Sequence, residues 1–111
     1  MTTPLHYRPD APSRADLERG QGLTLLEFGV DWCGHCRAAQ AGVAEALAAH
    51  PAVRHLRIED GPGHALGRSF GVTLWPTLVL LVDGRERGRL VRPTEAAAVL
   101  ATLRRGDPIP G

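Results

Sequence analysis

Cys33 and Cys36 are the only thiols in the chain, and they stand three residues apart in Trp32-Cys33-Gly34-His35-Cys36. Thiols at that spacing can exchange with an external disulfide: one sulfur attacks as the thiolate, and its neighbour then closes an intramolecular disulfide and releases the product. Two other residues nearby bear on that chemistry. His35 lies between the cysteines and, when protonated, sets a positive charge beside a thiolate. Glu27 lies six residues before Cys33 in an apolar run, where an unpaired carboxylate is costly.

The flanking sequence must position these groups. Leu23 to Val30 is nearly continuous in apolar residues, as in a strand covered on both faces. Arg37 to Ala49 is an alanine-rich stretch of helix formers, so the cysteines fall in a tight turn between strand and helix, Cys33 at the helix start and Cys36 one turn in. First-turn N–H groups have no intrahelical partner and favour an anion. Cys33 is therefore expected to have a lowered pKa and to act as nucleophile, with Cys36 facing inward as the resolving thiol.

The segment Leu25-Leu26-Glu27-Phe28-Gly29-Val30-Asp31-Trp32-Cys33-Gly34-His35-Cys36 resembles the active-site strand and turn of the thioredoxin superfamily, and Trp75-Pro76-Thr77 resembles its cis-proline loop. The resemblance runs from about Leu23 to Arg105. The Gly34-His35 pair is similar to that of protein disulfide isomerases, where reducing thioredoxins carry Gly-Pro. The resemblance implies an α/β, thioredoxin-like fold, a central mixed sheet of about four strands with helices on both faces. It also implies a thiol-disulfide oxidoreductase that reduces, oxidises or exchanges protein disulfides through the Cys33/Cys36 couple, without a bound cofactor. Its partners would be protein disulfide or dithiol substrates, and a reductase or thiol pool would supply electrons.

Residue by residue, the family's buried acid falls on Glu27, which would relay a proton for Cys36, its pKa raised by burial toward the range of a general base. The other reading of Glu27 is a solvent-facing residue on the strand's edge. Trp75, before a cis Pro76, would pair its backbone with an extended substrate, and Trp32 would form another wall; ordinary packing is the alternative for both tryptophans. Gly34 and His35 would tune the couple. Each unit by which the Cys33 pKa falls below ambient pH raises the potential by roughly 30 mV, so a charged His35 implies a less reducing protein than a Gly-Pro thioredoxin. A solvated turn residue without influence is the alternative for His35. The chain departs from the family in three places: Ala41-Gly42 replaces a helix-kinking proline, His55 stands where a lysine often pairs with the buried acid, and Val91 or Arg92 falls where a glycine is usual. The last change would make the docking surface more basic.

Along the chain, Leu5 to Arg8 is a candidate edge strand, and Ser13 with Asp16 resembles a capping box opening a helix from Arg14 to Arg19. Val53 to Ile58 reads as a strand parallel to the first, across a helical crossover, and His64 to Phe70 as a short helix. Thr77 to Val82 and Glu86 to Val91 flank the Asp83-Gly84 hairpin signal. Thr94 is the expected cap of a last helix carrying Ala96, Val99, Leu100 and Leu103, closed by Gly106. The expected organisation is a loose segment at 1–12, one domain at 13–106 and a tail at 107–111.

Composition excludes several classes. With 111 residues, 43% hydrophobic and 23% charged, the chain suits a single domain with one modest core. Its net charge is +1, and all 13 basic residues are arginines scattered among 12 acids, so no basic stripe argues for nucleic acid. No stretch approaches the roughly 20 apolar residues of a membrane span. The chain is therefore expected to be cytoplasmic, where a lone cysteine pair is usually catalytic, and monomeric by default. His6 and His64 read as surface loop residues. One rival belongs to another class: Cys33, Cys36, His50 and His55 have zinc-site spacing and could form a structural metal module. Against it, Pro51 separates the two histidines and His55 falls on a predicted strand. A dedicated redox adaptor for one protein partner is a third reading.

Overall fold

The computed structural model describes residues 6–107. Its central strand is the apolar run: β1 (Leu23–Gly29) is buried from Leu25 onward, with Leu25, Leu26 and Phe28 at 0% exposure. It pairs in parallel with β2 (Arg54–Glu59) and antiparallel with β3 (Thr77–Val82). β4 (Arg85–Val91) completes the order β2-β1-β3-β4 by pairing antiparallel with β3. The parallel pair requires a crossover, supplied by the helix that begins at the cysteines, α2 (Gly34–Ala48). At the hairpin, Asp83 and Gly84 both adopt positive φ, 50° and 80°, the primed turn that Asp-Gly favours because it matches the twist of the flanking strands.

A strand apolar on both faces needs cover on both, and two clusters provide it. On one face Leu25, Leu78 and Leu80 pack with Val43 and Leu47 of α2 and with Val99 and Leu103 of α4 (Ala96–Leu103). On the other, Leu26, Phe28, Val79 and Leu81 pack with Leu17 of α1 (Arg14–Glu18), with Phe70 and Val72, and with Leu66 of α3 (Ala65–Ser69). The sheet is mixed and four-stranded with helices on both faces, as the resemblance implied. Strand and helix ends differ from expectation by one or two residues, the usual uncertainty of termini.

The capping box forms: the Ser13 hydroxyl accepts from the Asp16 N–H at 3.0 Å, and the Asp16 carboxylate accepts from the Ser13 N–H. The expected Thr94 cap does not. Glu95 is the N-cap of α4 and makes no side-chain capping bond. The helix starts close against α2: a Cβ on Gly42 of α2 would lie 3.0 Å from the Ala96 nitrogen and 3.1 Å from the Glu95 carbonyl carbon. Ala41 stands where a proline would kink the helix, and Gly42 after it lets the two helices close.

The loose segment expected at 1–12 is also corrected where it is described. The Arg8 N–H donates to the Arg57 carbonyl at 3.0 Å and the Glu59 N–H to the Arg8 carbonyl at 2.8 Å, and Tyr7 is buried at 5% exposure. The expected strand at Leu5 to Arg8 is reduced to a parallel bridge between Arg8 and Ile58, and Leu5 lies outside the described residues. Of the expected tail at 107–111, only Asp107 is described. Among the described residues no helix is long and apolar enough to cross a membrane.

The Gly42 contact yields a prediction. Gly42→Val should force α2 and α4 apart and lower stability by about 1–3 kcal/mol, the usual cost of overpacking. Urea unfolding checks it; an unchanged midpoint would show that the contact can give.

Candidate active site

β1 runs out at Gly29, and the chain turns through Val30, Asp31 and Trp32 into Cys33, the N-cap of α2 in extended conformation. The Cys33 sulfur takes the place of a capping oxygen, accepting from the Cys36 N–H at 3.3 Å. Both cysteines are free thiols. Cys33 is 8% exposed and Cys36 is 0% exposed, so a partner meets Cys33 first.

The two sulfurs are driven in opposite directions. Burial works against the Cys33 thiolate, but hydrogen bonds from the Cys36 side chain and from the backbone N–H groups of Cys36 and His35, with the positive charge of Arg92, lower its pKa. Burial first, and then the hydrogen bond with Cys33, push the Cys36 thiol up to about 11. Of the two thiols, Cys33 is the one that ionises more easily.

His35 acts differently from the sequence expectation. Its side chain is exposed, and its contribution to Cys33 is a backbone hydrogen bond; the cation that favours the thiolate is Arg92. Proline at this position would have no N–H to donate. Gly34 is exposed, and a Cβ there would meet nothing within 4 Å.

The Trp75-Pro76 peptide bond is cis. Arg92 clamps this loop: its N–H donates to the Pro76 carbonyl at 2.9 Å and its Nε to the Trp75 carbonyl at 2.8 Å. To do so it adopts φ 53°, a left-handed conformation uncommon outside glycine, which accounts for the glycine usual in the family. The Trp75 ring meets Trp32 edge-on, with centroids 5.8 Å apart, and its Nε1 donates to Asp60 at 2.8 Å. Trp32 itself is 73% exposed.

Beneath the cysteines Glu27 is 1% exposed, which disposes of the solvent-facing reading. Its Oε1 lies 2.9 Å from His55 Nε2. Its Oε2 accepts from Arg57 Nε at 3.2 Å and from the Tyr7 hydroxyl. Burial raises the carboxyl pKa, but the hydrogen bond with His55, the charges of Arg57 and His55 and the Tyr7 hydrogen bond outweigh it, so Glu27 is held below the usual carboxylate range. The expected upward shift is therefore reversed: an ion pair and two hydrogen bonds overcome desolvation. Sequence reasoning missed Tyr7 and Arg57. For Arg57 a signal existed, since it stands two residues after His55 on one strand, and strand alternation puts such residues on the same face.

The zinc arrangement is not assembled. His55 is committed to Glu27, and His50 lies beyond the end of α2. Among the described residues no group of three or more histidine, cysteine or acidic side chains is placed to hold a metal ion.

A nucleophilic thiol in front and a protonated resolving thiol behind can pass two electrons to an external disulfide, and that is the chemistry of the thiol-disulfide oxidoreductases. Known proteins point the same way. The thioredoxin family model matches residues 10–105. Among curated relatives, thioredoxin from Chlamydia muridarum is 41% identical over 71 residues, covering 63% of this chain and 69% of that protein. Protein disulfide-isomerase A2 from Pongo abelii is 39% identical over 87 residues, covering 73% of this chain and 17% of that protein; the chain thus spans under a fifth of the disulfide isomerases it matches. Among solved structures, reduced thioredoxin 2 from Pseudomonas aeruginosa PAO1 superposes with a TM-score of 0.81 at 54% identity, covering 89% of this chain and 92% of that one. The chain belongs to the thioredoxin family.

The Glu27 cluster sets a pH dependence. A carboxyl whose folded pKa lies below its unfolded value of 4.5 contributes stability above that pH and loses it as pH falls through the folded value. Stability should therefore drop on acidification below about pH 4.5. Glu27→Gln leaves Arg57 without its carboxylate and should cost on the order of 3–5 kcal/mol near neutral pH, while weakening the acid dependence. Urea titrations across pH check both; an acid profile unchanged by the substitution would contradict the assignment.

Proposed function

We propose that the protein reduces or exchanges disulfides in other proteins, Cys33 attacking and Cys36 resolving, with a reductase or thiol pool restoring the dithiol. The opposite displacement of the two thiols carries this reading: Cys33 is ionised more easily than an ordinary thiol and Cys36 less. The Cys33 thiolate attacks one sulfur of the substrate disulfide, forming a mixed disulfide and expelling the other sulfur as thiolate. Cys36 then loses its proton and attacks Cys33, and the second substrate sulfur leaves. The redox group is the cysteine pair itself. The surroundings suit a polypeptide partner. Trp32, Leu74 and Val91 are exposed apolar residues, and the backbone of Trp75 before cis Pro76, its carbonyl already accepting from Arg92, would pair with an extended chain as an added strand. The reading places this work in the cytoplasm, by a monomer, against substrates kept near reduction.

Direction is set by potential. Gly34-His35 favours a less reducing couple than Gly-Pro because the His35 N–H stabilises the thiolate form, and with it the reduced protein. A hydrogen bond to a charged group contributes about 1.5–3 kcal/mol. At about 1.4 kcal/mol per 30 mV, His35→Pro should lower the midpoint by roughly 30–60 mV in glutathione redox buffers. An unchanged midpoint would remove His35 from the tuning groups.

The decisive assay is reduction of insulin disulfides with dithiothreitol as electron donor. Cys33→Ser should abolish turnover, and Cys36→Ser should leave a mixed disulfide that mass spectrometry detects on Cys33. Turnover surviving Cys33→Ser would overturn the reading.

A further inference from the structure

Tyr7 is a buried titratable side chain packed directly against the cysteines, and the exchange steps above give it no role. It is buried in one cluster with Val30, Cys33 and Cys36, although it precedes them in a separate segment of the chain, before α1. Three contacts hold it there. Its backbone N–H donates to Asp31 Oδ1 at 3.0 Å. The Arg57 guanidinium carbon lies 4.1 Å from the centre of its ring. Its hydroxyl donates to Glu27 Oε2.

The other side of that hydroxyl faces the resolving thiol. A Cβ placed on Gly29 would lie 2.6 Å from Cys36 Sγ and 2.8 Å from Tyr7 Oη. The two atoms converge on the space that this glycine leaves empty. A hydrogen bond with Tyr7 also lowers the Cys36 thiol against the pull of burial. Burial and the neighbouring Glu27 carboxylate raise the tyrosine's own pKa strongly, so the hydroxyl keeps its proton and acts by handing protons on. The charged and titratable groups around this path are Glu27, Arg57 and, through Glu27, His55 on the inner side, and Cys33 on the outer side.

We propose that Tyr7 is the proton relay of the resolving step, its hydroxyl linking Cys36 Sγ to Glu27 Oε2. In the mixed disulfide the Cys36 thiol donates to Tyr7 Oη while Tyr7 donates to the Glu27 carboxylate. As Cys36 attacks Cys33, its proton moves to Oη and the Tyr7 proton moves to Oε2. The new sulfur–sulfur bond forms between Cys36 and Cys33, and the bond from Cys33 to the substrate breaks with its electron pair on the substrate sulfur. His55 and Arg57 hold the Glu27 carboxyl below the usual carboxylate range, so the proton does not remain there. It returns through the same hydroxyl and leaves with the substrate thiol. The balance is one thiol proton from Cys36 to the substrate, with Tyr7 and Glu27 restored. Glu27 thus need not be a strong base; the relay uses it transiently, and bond formation draws the transfer forward.

This inference rests on the Cys33/Cys36 reading above, and one experiment separates their failures. Rapid mixing with dithionitrobenzoate releases one thionitrobenzoate when Cys33 attacks and a second when Cys36 resolves. Tyr7→Phe keeps the ring beneath Arg57 and removes only the hydroxyl. It should slow the second release by roughly tenfold or more, a modest share of what general acid–base groups supply, and leave the first within about twofold. Tyr7 is the only tyrosine in the chain, so biosynthetic fluorotyrosine gives a second variant that keeps the hydroxyl and makes it a stronger donor. In a Cys33→Ser background, where thiolate absorbance reports Cys36 alone, the Tyr7 hydroxyl turns to donate to the thiolate once it forms, so the Phe variant should raise the Cys36 pKa and fluorotyrosine should lower it. A merely structural role would not give opposite signs. Equal slowing of both releases, or neither variant moving Cys36, would overturn the relay. Absence of a second release from the unsubstituted protein would overturn the underlying Cys33/Cys36 reading.

Discussion

The constraint on which the rest depends is a carboxylate buried inside the central strand. Glu27 has leucine on one side in sequence and phenylalanine on the other, and leaving it uncompensated in that environment would cost far more than a small domain's margin of stability. The fold answers with partners drawn from two other segments: His55 and Arg57 from the neighbouring strand β2 and Tyr7 from the chain's first described residues. The parallel register that sets Glu27 opposite Arg57 is therefore an electrostatic requirement as well as a matter of backbone pairing. A slip by one residue would turn His55 and Arg57 to the other face of the sheet.

That same compensation defines the two ends of the site. On the outer end, Cys33 sits at the helix start, where backbone N–H groups and Arg92 favour negative charge. On the inner end, Cys36 is surrounded by apolar atoms and the neutral hydroxyl of Tyr7. A single helical turn separates an environment that stabilises a thiolate from one that suppresses it. The cis-proline loop and Arg92 complete the outer end, and both depend on the β3–β4 hairpin that presents them.

How much of this was legible in the sequence follows from the range of each interaction. The strand, the turn and the helix around Cys33 and Cys36 are local, and an unbroken apolar run followed by alanine-rich sequence specifies them. The Asp83-Gly84 hairpin and the Ser13 capping box are likewise written in a few adjacent residues. The cis-proline loop came from resemblance to a family, since nothing in Trp75-Pro76 itself selects the isomer. Tyr7 was not legible, because it lies among prolines in a segment with no periodic pattern and reaches Glu27 only through tertiary contact. The direction of the Glu27 shift was misjudged for the same reason: burial can be inferred from an apolar run, whereas compensating charges on another strand cannot. Thr94 is not the cap: the helix begins one residue later, where its backbone lies against Gly42 of α2, a contact that no local sequence pattern announces.

The parts of the site come from positions 7, 27, 33, 36, 55, 57, 76 and 92, nearly the full length of the chain, and the strand before the cysteines pairs with one about fifty residues later. Contacts so distant in sequence form late relative to local helices and turns. Until the final hairpin has been made and docked, Arg92 is not beside Cys33, and without β2 Glu27 has neither His55 nor Arg57. A chain still emerging during synthesis, with both cysteines already outside, thus has only the groups of its own helix start to favour the Cys33 thiolate. The last strand adds the Arg92 charge, so Cys33 reaches its full reactivity only in the finished fold.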